Sequence, residues 1–208
     1  LLIAAPAAWV VWAGARRGKR TAPAARGRVL VYFAAIGLGF MFIEIAFIQK
    51  FVLFLSHPLY AVAVVLFSFL LFAGIGSAAS KRFQDGGAPV LRHPVAVVVA
   101  AIALAAALCL GVLPWLFQHS MGLPDAVRVL ISAALIAPLA FFMGMPFPLG
   151  LARVEAAEAR LVPWAWAING CASVTAAVLA SLLAIHVGFS AVVIAALALY
   201  ALAAAARP

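Results

Sequence analysis

Six stretches of this chain, at about 29–54, 59–79, 94–117, 127–149, 162–186 and 188–206, are apolar nearly throughout. Each is long enough to cross a bilayer, whose core of roughly 30 Å needs about 20 residues of helix. That recurrence constrains the fold more than any motif does. In hydrocarbon, backbone N–H and C=O groups must be satisfied within the protein, so such segments cross as helices. Composition agrees: 69% of residues are hydrophobic and 9% are charged, where a soluble domain carries about 25% charge. The expectation is an all-α polytopic transmembrane helix bundle of six full spans, preceded by an N-terminal helix remnant at 1–15. Residues 1–27 then form the remnant and a basic loop, and 28–208 the membrane domain. The chain opens without a methionine, and the expectation is a C-terminal piece or a processed product. A signal peptide fits less well, because the positive charge follows the apolar part instead of preceding it.

The net charge of +9 raises nucleic acid as a partner, but the placement of the charge argues for a bilayer. Arg16, Arg17, Lys19, Arg20, Arg26 and Arg28 precede the first full span. Lys81, Arg82 and Arg92 lie between the second and third, Arg153 and Arg160 between the fourth and fifth, and Arg207 after the last. Alternate loops thus hold 12 of the 14 basic residues, the asymmetry that orients membrane proteins with the basic side in the cytoplasm. Lys50 and Arg128 fall on the other side. The C-terminus is then cytoplasmic, and the turns at Ser56-His57-Pro58, 118–126 and His186-Val187-Gly188 face out. The basic loops set topology and meet anionic lipid heads; nucleic acid is not the expected partner.

Glu44 is the one acid inside a span. An ionisable group at membrane depth costs several kcal/mol without a partner, a proton or water. Three readings stay open: a proton- or cation-binding site, a structural anchor bonded to a partner such as Asn169, and a carboxylate facing headgroups or water. Gly37 lies seven residues earlier on the same helix face, and a small-residue groove there suits close approach of a helix or a ligand. Gly74 and Gly76 near the end of the second span read as helix-packing positions through the pairs Gly74/Ala78 and Gly76/Ser80. Pro146 and Pro148 lack N–H groups and disfavour helix before them, so the inner end of the fourth span is expected to be unwound or kinked. Such breaks mark binding sites in transporters, whereas in most proteins a proline near a helix end is simply an exit, and both readings stay open. On the fifth span Asn169, Ser173, Ala177 and Ser181 recur every four residues as a small polar stripe, behind the interfacial anchors Trp164 and Trp166. Asn169 begins nearer the inner side than Glu44, so Ser173 or Thr175 matches its depth better.

Other patterns carry nothing. Gly74-Ile75-Gly76-Ser77-Ala78-Ala79 has dinucleotide-loop spacing but sits at the end of a membrane helix with no strand before it. Segment 14–19 is one residue short of a phosphate-binding loop. His57, His93, His119 and His186 are scattered in turns without ligand spacing, and Cys109 and Cys171 read as packing residues. No metal and no cofactor is expected. No nucleophile has a base beside it, so catalysis by this chain alone is not expected.

Two stretches, 37–77 and 143–188, together resemble the membrane module of bacterial polytopic spermidine-synthase-like proteins. The family pattern is a glycine-containing helix with a glutamate, matched by Glu44, then a Gly-x-Gly-Ser helix end, matched by Gly74, Gly76 and Ser77. A Met-Gly-x-x-Phe-Pro element follows at Met143, Gly144, Phe147 and Pro148, and a small-residue helix opens with Asn169-Gly170. The resemblance implies a multi-span module fused in the family to a Rossmann-type aminopropyltransferase-like domain, and a bacterial inner-membrane location. That soluble domain is not among these 208 residues, so no catalytic residue carries over. The expected function is a transporter-like module that binds or passes a small cationic or amphipathic metabolite, with a proton as candidate coupling ion. Glu44, Asn169 and Ser173 are the candidate contacts. The alternative is a non-catalytic anchor or accessory subunit, partnered by other membrane subunits or a soluble synthase-like domain.

Overall fold

A computed structural model describes residues 23–85, 94–120 and 122–206. The expected remnant at 1–15, the basic cluster at 16–20, and Gly86, Gly87, Pro89 and His93 lie outside those residues.

The described residues form α1 (Pro23–Leu55), α2 (Pro58–Asp85), α3 (Pro94–Ser120), α4 (Asp125–Met143), α5 (Pro146–Glu158), α6 (Val162–Val187) and α7 (Phe189–Ala206). A single 3-10 turn, Ala159–Leu161, joins α5 to α6. Five helical stretches are long and apolar enough to cross a membrane: Arg26–Leu55, Pro58–Arg82, Pro94–Ser120, Asp125–Val187 and Phe189–Ala206. The protein is therefore all-helical in its described part and has the character of an integral membrane protein.

Three boundaries differ from the sequence reading. The first helix begins at Pro23 and not at 29, so 23–27 belong to α1 and not to the loop. The second span does not stop at residue 79 but continues to Asp85, carrying Lys81 and Arg82 on its last turns. The fourth does not reach 149. It stops at Met143, and a new helix begins at Pro146. The reason is local: without an N–H, Pro146 cannot continue the ladder of α4, while its fixed φ suits the first position of another helix. Gly144 and Met145 form the step, their N–H groups donating to Ala140 O at 3.0 Å and Phe142 O at 3.2 Å.

α1 is the centre of the bundle. Of its most apolar window 61% is buried, against 28–33% in the other four stretches. It packs chiefly against α6 and α7, while α2 packs chiefly against α4. Short turns fix the neighbours. α1 and α2 are joined through Ser56, which takes φ +61°, and α6 and α7 through Gly188 at φ +94°, a conformation glycine adopts without strain. The end of the bundle bearing these turns is called here the hairpin end. The opposite end carries Arg26, Arg28, Lys81, Arg82, Arg153 and Arg160, and is the basic end.

Candidate functional site: a cleft beside the central helix

Three close approaches shape a cleft in the bundle. At the first, Gly37 on α1 faces α6. A Cβ there would stand 2.8 Å from both Asn169 Nδ2 and Asn169 O, and 3.2 Å from Ser173 Oγ. The missing side chain lets Asn169 Nδ2 reach in and donate to Phe33 O at 3.1 Å. That bond also orients the amide. A carbonyl only accepts, so the NH2 group faces Phe33 and the amide oxygen remains as an acceptor. Ser173 Oγ donates back to Asn169 O at 2.9 Å.

At the second approach, α2 and α4 touch through backbone. Gly76 lies against the Phe141 carbonyl and Gly144 against the Ala73 carbonyl, both too close for any side chain. At the third, the step before α5 is tied to α1: Tyr32 is fully buried, and its hydroxyl donates to Pro146 O at 2.6 Å. Gly150, one turn into α5, gives the Tyr32 ring its room.

Between these contacts a cleft of about 360 Å³ remains, at the lower end of the size range of small-molecule sites. Its walls are Gly37 and Phe40 of α1, Leu70, Gly74 and Ser77 of α2, Pro146 and Phe147 at the helix break, and Asn169 and Ser173 of α6. No charged side chain lines it. The mouth lies along α2, where Leu70 is 68% exposed and Gly74 is open. An added Cβ on Gly74 would meet nothing within 4 Å.

The structure thus brings Gly37, Gly74, Pro146, Asn169 and Ser173 to one place. Gly76 and Pro148 stand just outside it, Gly76 in the α2–α4 contact and Pro148 in the first turn of α5. Gly74 is a correction: it packs against no helix but borders open space, because α4 approaches α2 on the Ala73–Gly76 side. Of the three readings of Glu44, the structure removes the tie to Asn169. Glu44 is buried at 4% exposure, does not line the cleft, and is not bonded to Asn169, whose amide is engaged by Phe33. Nor do the better-matched hydroxyls serve it, since Ser173 and Thr175 donate to carbonyls of their own helix.

Sequence reasoning missed Tyr32, Gly150 and the packing role of Gly144. Gly144 stood in the Met-Gly-Met-Pro run, where a glycine before a helix break was a usable signal. Tyr32 and Pro146 are 114 positions apart, and no local pattern announces such a pair. Elsewhere, Lys50 lies over the Phe117 and Phe189 rings, 5.8 and 5.7 Å from their centroids. Cys109 and Cys171 are both free thiols. Among the described residues no three His, Cys, Asp or Glu side chains come together as a metal site would need. No protein-family model, curated protein or solved structure matches this chain.

Proposed function

We propose that this chain is a transporter-like membrane module that takes a small amphipathic ligand into the cleft beside α1. The observation that carries the reading is Gly74: a membrane helix leaves a glycine facing open space beside two polar side chains of a neighbouring helix. The apolar walls and the exposed mouth suit a ligand that arrives from the bilayer. Asn169 Oδ1 and the Ser77 hydroxyl offer it hydrogen bonds. The uncharged lining favours the amphipathic over the cationic member of the two ligand classes expected from sequence.

On this reading the chain has six spans. As one helix, the 63-residue stretch Asp125–Val187 would measure about 95 Å at 1.5 Å per residue, three times a bilayer core. α4 and α6 then each cross, and α5 lies at the basic surface between them. The charge asymmetry puts that surface and the C-terminus in the cytoplasm. The resemblance to spermidine-synthase-like membrane modules supports a bacterial inner-membrane location and a soluble synthase-like domain as partner.

The test is Gly74→Leu, whose Cβ meets nothing within 4 Å and whose longer side chain competes for the space at the cleft mouth. Wild-type and variant chains, purified from native membrane in lipid nanodiscs, are compared by mass spectrometry of their bound small molecules. The variant is expected to fold as wild type and to lose an amphiphile that the wild type retains. A wild type that carries none, or a variant that keeps it, sinks the reading. A stoichiometric set of companion subunits in its place would make the chain an accessory component.

A further inference from the structure

Glu44 continues the line of the cleft. At 100° per residue it projects within about 20° of Gly37 and about 40° of Phe40, both of which line the cleft, and it lies about 10 Å beyond Gly37 towards the hairpin end. Phe40 and Phe47 stand one turn before and one turn after it. Both rings meet Phe69 of α2 edge-on, with centroids 6.0 and 5.8 Å away. Phe40 also forms the cleft wall, so the Phe40–Phe69 pair lies along α1 between the cleft and the level of Glu44.

Its surroundings hold nothing to neutralise it. The carboxyl group has no hydrogen bond or ion pair among the described residues. α2 carries no charge between Pro58 and Ser80, and its Tyr60 is exposed at the hairpin end. α6 presents the buried Ala176 and Ala180, and its titratable groups are Cys171 and His186, the latter exposed and engaged by Leu182 O. On α7 the titratable group is Tyr200, which packs against Gly39 on another side of α1. On α4, Arg128 is engaged by Phe54 O and by Asp125. On α5, Arg153, Glu155 and Glu158 belong to the basic end, and on α1 itself Lys50 is held over Phe117 and Phe189.

A buried carboxylate without a partner costs several kcal/mol at membrane depth. A hard metal cation would need several oxygen ligands, and among the described residues no three His, Cys, Asp or Glu side chains come together. We propose that Glu44 is a proton-binding site in line with the cleft, with the Phe40–Phe69 pair standing between the two. Its link to a ligand rests on the cleft reading above, while the proton site itself stands on the placement of Glu44.

The test is infrared difference spectroscopy of the full chain in nanodiscs through pH steps. The expected signal is the carbonyl stretch of a protonated carboxyl group that makes no hydrogen bond, vanishing as pH rises and absent in Glu44→Gln. A band that persists in Glu44→Gln belongs to Asp85, Asp125, Glu155 or Glu158 and overturns the proposal, as does the lack of any such band at all pH values. Phe40→Ala is expected to speed the response of the band to a pH step several-fold, and an unchanged rate removes the aromatic pair from the path. The two readings fail separately. Gly74→Leu should leave the Glu44 band titrating, so loss of the cleft hypothesis would show in bound amphiphile and loss of the proton site in the spectrum.

Discussion

Gly74 and Gly76 are two residues apart on α2 and play opposite parts. Gly76 is buried against the backbone of α4, where no side chain fits, and Gly74 borders the cleft with nothing near it. Two residues are about 200° on a helix, so the pair reports on two faces of one rod. One face is a structural seam and the other is an opening. Both glycines satisfy the same small-residue pattern. That pattern grants permission for close approach, and the partner helix decides which permission is used.

The contrast breaks most sharply at Gly76. Gly76→Ala drives a methyl group into the Phe141 carbonyl, and backbone yields less readily than a side chain. A loss of about 3 kcal/mol, the upper end for overpacking, is expected, read as a lowered midpoint in reversible detergent-denaturant unfolding. A wild-type midpoint would mean that α2 and α4 do not touch there. Tyr32→Phe sharpens the picture of the cleft's other wall. It removes the hydroxyl donated to Pro146 O and should cost about 1 kcal/mol in the same assay, with the fold retained. No loss would show that the α5 step is held without α1. Gly74→Ala should have the smallest effect: no loss, and up to about 1 kcal/mol of gain from helix propensity. Clear destabilisation by Gly74→Ala would close the opening and remove the contrast.

Much of this architecture is legible in the sequence because hydrocarbon leaves so few options. The apolar runs locate α3, α6 and α7 to within a few residues, and Pro146 and Pro148 announce the break that ends α4. The face shared by Gly37 and Glu44 follows from a seven-residue spacing, and α6 does dock on it at Gly37. What the spacing does not supply is depth. α1 and α6 run side by side in one direction, so Asn169 meets Phe33 and Gly37, two turns short of Glu44. A polar stripe and an acid on facing helices thus resemble partners and are offset. The site itself is less legible still. A cleft exists where side chains are missing from several helices at once, and Gly74, Asn169 and Pro146 become neighbours only through tertiary packing.

Arg128 stands on the sparsely charged end of the bundle, yet it is not a free charge there. Its guanidinium donates to Phe54 O at 2.8 Å, across 74 positions of chain, and pairs with Asp125. It closes the last turn of α1, where the helix leaves carbonyls without partners and a partial negative charge. The cation is thereby consumed inside the protein, and Lys50 rests over two aromatic rings. A count of residues credits the hairpin end with two positive charges, and protein groups already engage both of them. A neutral residue at 128 would therefore loosen the α1–α2 turn, whose Phe54 carbonyl and Ser56 hydroxyl both meet the guanidinium.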